Sequence, residues 1–274
     1  MLSKYSILNQ IGTGGQGTVY KVQAKNEKVY ALKEFKRKNI CIQEYNILNK
    51  FNHDNIIQVY DYEYDQEKGY LLMEYINGCN LFDYMNIRDP LTEFEARYLF
   101  KQLIKSIKYI HENNYVHRDI KLENILIVNK KVKLIDFGLC VHIDIAKMDS
   151  NITGSSHYIA PEILQRIGGN YKSDIWSLGV VLYEMLCKTQ PFVSDHIYDK
   201  NVFFHRKISK EAKHLIKMCL IHNEKYRISL QEILDHPWIN NETKTYHKLW
   251  KKKEVYVHSK QTIECSFSKF ILNI

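Results

Sequence analysis

The chain has 274 residues and a formal net charge of +8, with 45% hydrophobic and 26% charged residues. That length supports a substantial core in one large domain or two lobes, and the composition is that of an ordinary soluble globular protein. No apolar run approaches the roughly 18 residues a membrane span needs, which excludes a transmembrane reading.

The charge is unevenly placed. Residues 239–274 hold seven Lys and three Glu, so the chain reads as a mildly basic domain carrying a basic tail, with no nucleic-acid module. The six cysteines are scattered and form no Cys-x-x-Cys pair, which favours reduced thiols in a cytosolic or nuclear protein. No charged and apolar leader follows Met1, so the expected location is cytoplasmic, with the nucleus as the second choice.

In chain order, Tyr5 to Tyr30 shows short β-like runs broken by glycine. Gly12-x-Gly14-x-x-Gly17-x-Val19 falls between two such runs, at the turn of a hairpin. A Gly-x-Gly-x-x-Gly run also marks dinucleotide-binding folds, but those need a helix directly after the glycines, and here a strand follows. Such a loop can lie over phosphates and offer backbone N–H groups. Val29 to Lys33 alternates as a strand with Ala31 and Lys33 on one face, where Lys33 by itself reads as a solvated lysine. A helix is predicted from Asn39 to Lys50, and Leu71 to Tyr75 reads as a buried strand entering a linker. Thr92-Glu93-Phe94-Glu95 is a capping box that opens a long amphipathic helix ending at Asn113-Asn114.

The stretch from Tyr115 to Gly138 organises the rest. Ile125 to Val128 and Val132 to Ile135 flank an Asn-Lys-Lys turn, predicting a small hairpin with chemistry at both ends. Asp119 can accept a proton, Lys121 can neutralise a moving phosphoryl group, and Asn124 and Asp136 can hold a hard cation such as Mg²⁺. That set suits phosphoryl transfer. Further on, Asp174 stands in an apolar stretch, Tyr171 to Leu186, where burial without partners would be costly.

His117-Arg118-Asp119 with Asn124, Asp136-Phe137-Gly138, and Ala160-Pro161-Glu162 occur in an order and spacing that resembles the eukaryotic protein kinases of the Ser/Thr type. The resemblance covers Tyr5 to Trp238 and implies an α+β bilobal fold, with a small antiparallel-sheet N-lobe over a larger, mainly helical C-lobe. It places the N-lobe at residues 1–76, the C-lobe at 77–239 and the basic tail at 240–274. It implies ATP and Mg²⁺ as cofactors and a protein serine or threonine as substrate.

The same resemblance distributes roles. Asp119 and Lys121 become catalytic, and Asn124 and Asp136 become metal ligands. Ile11, Gly12, Gly14, Gly17 and Val19 form the nucleotide lid, and Lys33, paired with Glu44, is the ligand of the α- and β-phosphates. Met73 guards the back pocket, the backbone of Glu74 and Ile76 bonds adenine, and Val19, Ala31 and Leu126 sandwich it. Leu48, Val59, His117 and Phe137 stack as a spine, Asp174 meets the backbone near His117 and Arg118, and Arg227 pairs with Glu162. Lys121 and Ser155 together look like Ser/Thr specificity, and Glu123 and Glu184 match positions that attract basic substrate residues.

Three positions depart from the family. Gln16 stands at the lid tip in place of an aromatic, which predicts looser lid packing. Asn80 replaces an acid at the ribose. Asn151 stands where an activating phosphothreonine would, leaving Arg118 without that partner unless Ser150 or Thr153 substitutes. The basic, aromatic tail from Thr245 resembles tails of the calcium/calmodulin-dependent group, which implies a regulatory partner, although its apolar spacing reads better as a solvated tail. A pseudokinase scaffold is the alternative function, and a nucleotide-binding oxidoreductase the second.

Overall fold

A computed structural model describes residues 4–87, 90–192 and 202–240. The expected basic tail therefore lies, apart from Asn240, outside the described residues.

The chain begins with β1 (Tyr5–Thr13), β2 (Gly17–Ala24) and β3 (Val29–Phe35), continues through α1 (Lys38–Leu48), and returns as β4 (Val59–Tyr64) and β5 (Gly69–Glu74). These strands form one antiparallel sheet in the order β1-β2-β3-β5-β4. Alternation sorts its side chains onto two faces. Val22, Leu32, Tyr70 and Leu72 make a small cluster of their own. Ala31, Leu71, Met73 and Val59 instead join the main core, which runs on into the helical part of the molecule. Lys33 shares the face of Ala31, and its register opposite Val19 and Leu71 brings the ammonium to the underside of the sheet. Gly17 is required by contact: a Cβ there would lie 1.8 Å from the Glu34 carbonyl oxygen on the neighbouring strand.

The helical part follows: β6 (Cys79–Asn80), α2 (Leu81–Asn86), α3 (Glu93–Glu112) and β7 (Tyr115–Val116), then the hairpin of β8 (Ile125–Val128) and β9 (Lys131–Leu134). After β10 (Val141–His142) come α4 (Ile143–Met148), α5 (Pro161–Leu164), α6 (Tyr171–Cys187), α7 (Lys210–Cys219), α8 (Leu230–Asp235) and α9 (Pro237–Asn240). The Thr92 capping box is present, with the Glu95 side chain returning to the Thr92 amide at 2.9 Å. Residues Ser173 to Cys187 of α6 are all buried, so this mainly apolar helix is enclosed on every side and forms the centre of the lower lobe. Among the described residues, no helix is long and apolar enough to cross a membrane.

Two buried charged groups tie this lobe together. Arg227, 1% exposed, forks onto both carboxylate oxygens of Glu162 at 2.8 Å, and Ser173 adds a third hydrogen bond to that carboxylate. Asp174, fully buried, accepts from the amides of His117 and Arg118 at 2.9 Å each. It also meets His111 Nε2 at 2.8 Å, a partner that the sequence motifs do not include. These contacts satisfy the carboxylate and hold it below the ordinary range against the opposing effect of burial. Glu74, at the end of β5, takes Lys133 of β9 at 2.6 Å, so an ion pair spans the junction between the sheet and the hairpin.

Candidate active site

Lys33 descends from β3 into a pair of carboxylates. Its Nζ lies 2.9 Å from both oxygens of Glu44 on α1 and 3.0 Å from Asp136 Oδ1. Burial alone would lower the lysine's pKa, but the two carboxylates outweigh it and hold the ammonium charged. Asp136 lies two residues past the end of β9 with a left-handed backbone, φ 63°, and the Gly138 amide donates to its Oδ1 at 3.3 Å. Lys33 and that amide draw its carboxyl below the ordinary range, opposing burial. Phe137 is fully buried with its ring 4.8 Å from that of His117, and it shares the main core with Leu48 and Val59.

Asp119 anchors the second half of the site. Its Oδ1 accepts from Ser155 Oγ at 2.8 Å, and its Oδ2 faces Lys121 Nζ at 3.0 Å and the amide of Asn124 at 2.9 Å. Lys121 in turn donates to Ser155 Oγ at 2.6 Å, closing a triangle of carboxylate, ammonium and hydroxyl. The Asn124 NH₂ also bonds the Asp119 carbonyl, so the atom of Asn124 available to a cation is its Oδ1. The Asn124 carbonyl accepts the Ile135 amide at 2.9 Å, which couples residues 117–124, the catalytic loop that the family resemblance implies, to the residue preceding Asp136. Asp119, Asn124, Lys33 and Glu44 are all buried polar groups with partners.

The remaining expected nucleotide residues line the sheet and linker. Ala31 and Met73 are buried and paired in register across β3 and β5. Ile11, Val19, Ile76 and Leu126 are half-buried, and Leu126 lies opposite Asn80 on β6. The Glu74 amide donates to the Gln58 carbonyl at 2.9 Å and the Ile76 carbonyl accepts from the Gly78 amide at 3.0 Å, which fixes the backbone of the linker. A Cβ on Gly14 would meet nothing within 4 Å, so the lid is open at that point.

The three departures have structural outcomes. The lid tip is not loose: the Gln16 side chain packs onto Gly138, where an added Cβ would lie 2.1 Å from its Oε1, and that oxygen is buried without a hydrogen-bond partner. Contact replaces the expected slackness because Gly138 offers no side chain to keep the amide away. Asn80 is committed to capping α2, bonding the Asp83 amide at 2.7 Å and the Asp83 carboxylate at 2.9 Å, so an acid lies one turn on. Arg118 is partnered after all, by Asp149 at 2.6 Å, a residue that motif spacing overlooks. The signal available in the sequence is only that Asp144 and Asp149 are the carboxylates between Leu139 and Ser155.

Glu184 also differs from a surface attractor of basic groups. It is 8% exposed, accepts from the Tyr158 hydroxyl at 2.7 Å, and burial pushes its carboxyl up to about 7, with Tyr158 opposing and Glu123 adding to the rise. The described cysteines are free thiols, and burial raises those of Cys41, Cys140, Cys187 and Cys219.

A sheet lobe that lowers a lysine onto a carboxylate of the helical lobe, next to an aspartate held by lysine, serine and asparagine, has the build of a phosphotransferase with the bilobal kinase fold. The family model described as "Protein kinase domain" matches residues 5–239. The chain belongs to the protein kinase family, as a member of its serine/threonine type. It is 34% identical over 257 residues to an Aurora kinase of Eremothecium gossypii, covering 87% of this chain and 70% of that one. It is 35% identical over 263 residues to calcium-dependent protein kinase 4 of Plasmodium falciparum, covering 86% of this chain and 49% of the relative. It is 31% identical over 285 residues to calcium/calmodulin-dependent protein kinase type 1 of Caenorhabditis elegans, covering 95% and 80%.

Proposed function

We propose that the chain transfers the γ-phosphoryl of ATP to serine or threonine hydroxyls of protein substrates. The observation that carries this is the joint placement of Asp119, Lys121 and Ser155 within 3.0 Å of one another on the helical lobe, with Lys33 reaching Asp136 from the sheet lobe.

In this reading Asp119 orients the substrate hydroxyl and takes its proton, its carboxylate being fixed in place by Ser155, Lys121 and Asn124. Lys121 offsets charge that develops on the transferred group. Lys33, kept in position by Glu44, holds the α- and β-phosphates. Asn124 Oδ1 and the Asp136 carboxylate would hold Mg²⁺, and the fit is one of hard oxygen donors beside a fixed ammonium. When bound, the ion supplies charge neutralisation for the triphosphate. Such catalysis rests on alignment and electrostatics, so the protein's task is to keep these groups fixed.

The substrate is a protein presenting the hydroxyl, with a basic residue favoured near Glu123, the exposed member of the Glu123 and Glu184 pair. The division into an N-lobe at 1–76, a C-lobe at 77–239 and a tail at 240–274, the regulatory partner for that tail and the cytoplasmic location belong to the same proposal. The test is incubation of the purified protein with Mg-ATP and a generic basic protein, beside Asp119→Asn. Phosphate on Ser or Thr that disappears in the variant supports the reading. ATP binding without transfer would support a scaffold instead, and NAD binding would overturn both.

A further inference from the structure

Arg118 is the residue immediately before Asp119, and it is held in an uncommon state. Its φ is 67°, a left-handed conformation that is costly for a non-glycine residue and persists only where the surroundings over-determine it. Three contacts do so. Its amide bonds Asp174 Oδ1 at 2.9 Å, its Nε donates to the Leu139 carbonyl at 2.7 Å, and its Nη1 meets Asp149 Oδ2 at 2.6 Å. The Arg118 side chain is 10% exposed and that of Asp149 18%, so this pair is substantially shielded from water.

Asp149 is itself gripped. The amide and the side-chain NH₂ of Asn151 both donate to its Oδ1, at 3.1 and 2.8 Å. The hydrogen bond from Arg118, with those from Asn151, draws its carboxyl below the ordinary range. Further along the same segment, Ser155 is bonded to Asp119. The segment from Asp149 to Ser155 is thus pinned at both ends to two adjacent residues of the catalytic loop. Between the pins, Gly154 adopts φ 109° and runs so close that a Cβ there would lie 2.8 Å from the Arg118 carbonyl oxygen.

We propose that Asp149 is a positioning residue for the transfer reaction: its fixed carboxylate neutralises Arg118 and holds the 149–155 segment against the catalytic loop, so Ser155 is set on Asp119 without any covalent modification of the segment. The inference rests on the reading of the site given above. A carboxylate supplies one negative charge permanently, whereas a phosphate would supply more but only after transfer to a hydroxyl. Of the two nearby hydroxyls, Thr153 Oγ1 is buried in this conformation, and Ser150 is exposed.

The experiment uses the full chain, treated with phosphatase and shown by intact mass to carry no phosphate. Transfer to a basic protein is measured for the wild type, Asp149→Asn, Asp149→Glu and Ser150→Ala, and hydrogen exchange is followed over residues 140–155. The phosphate-free wild type and Ser150→Ala are expected to be active. Asp149→Asn should lose kcat on the order of 10- to 100-fold, with KM for ATP nearly unchanged, because the defect is one of alignment. Asp149→Glu should recover part of that loss. Exchange should quicken across 140–155 in Asp149→Asn and stay unchanged elsewhere, which separates release of the segment from global unfolding. The proposal is overturned if the phosphate-free wild type is silent until Ser150 or Thr153 is phosphorylated, or if Asp149→Asn keeps both its kcat and its protection. If wild type and Asp119→Asn are equally inert under every condition, the functional reading fails, and the exchange comparison still decides the role of Asp149 in holding the segment.

Discussion

The Lys33 ammonium stands 3.0 Å from an oxygen of Asp136, although 103 positions separate the two in the chain. One residue belongs to the central strand of the sheet and the other follows the hairpin of the helical lobe, so their contact records the two lobes meeting over one site. Glu44 sets the geometry from α1, with both its oxygens at 2.9 Å from the same nitrogen.

Lys33→Met is therefore expected to remove phosphate positioning while adding a side chain of compatible size to a buried place. Transfer should fall on the order of 100- to 1000-fold. Glu44→Gln should fall less, since the amide oxygen can still accept from Lys33. Steady-state kinetics on both variants checks the order. Equal activity of Lys33→Met and wild type would contradict the assignment.

The titration of Glu184 gives a pH dependence of stability. Its folded pKa, about 7, lies above the ordinary 4.5 because burial disfavours the anion. The folded state therefore keeps a proton that the unfolded chain releases, and stability from this group falls as pH rises from about 4.5 to about 7. The full effect is on the order of 3 kcal/mol above pH 7. Glu184→Gln retains an acceptor for the Tyr158 hydroxyl and does not titrate. Thermal melts should show the variant gaining on the wild type through that window, with no such gain below pH 4.5. Parallel melting curves across the range would count against it.

The lid contact lends itself to a double-mutant cycle. Gln16→Ala and Gly138→Ala should each raise KM for ATP by a factor of a few, by unfastening the lid tip from the residue two beyond Asp136. The double variant should be no worse than the poorer single one, because both remove the same contact. Additive effects would show that Gln16 and Gly138 act separately.

Much of this is legible from the chain, and the reason is physical. Positions such as Asp119, Asn124 and Asp136 are near one another in sequence because one hairpin carries them, and the strand alternation at Ala31 and Lys33 fixes which side chain faces the core. The pairing of Arg227 with Glu162 follows from family motifs and not from local pattern. What stays hidden depends on loops folding back. Nothing local marks Asp149 over Asp144 as the partner of Arg118, and the path of the segment decides between them. His111 adds to Asp174 only because the end of α3 passes beside α6. Gln16 reads as a weaker lid tip because its contact is with a glycine, which has no side chain to announce it.

The most direct test of the central claim is a phosphoamino-acid analysis of a basic protein incubated with Mg-ATP and this chain, with Asp119→Asn run in parallel. The account predicts phosphoserine or phosphothreonine in the wild-type reaction and a loss on the order of 100-fold or more in the variant. Undiminished transfer by Asp119→Asn, or phosphate found only on tyrosine, would contradict it.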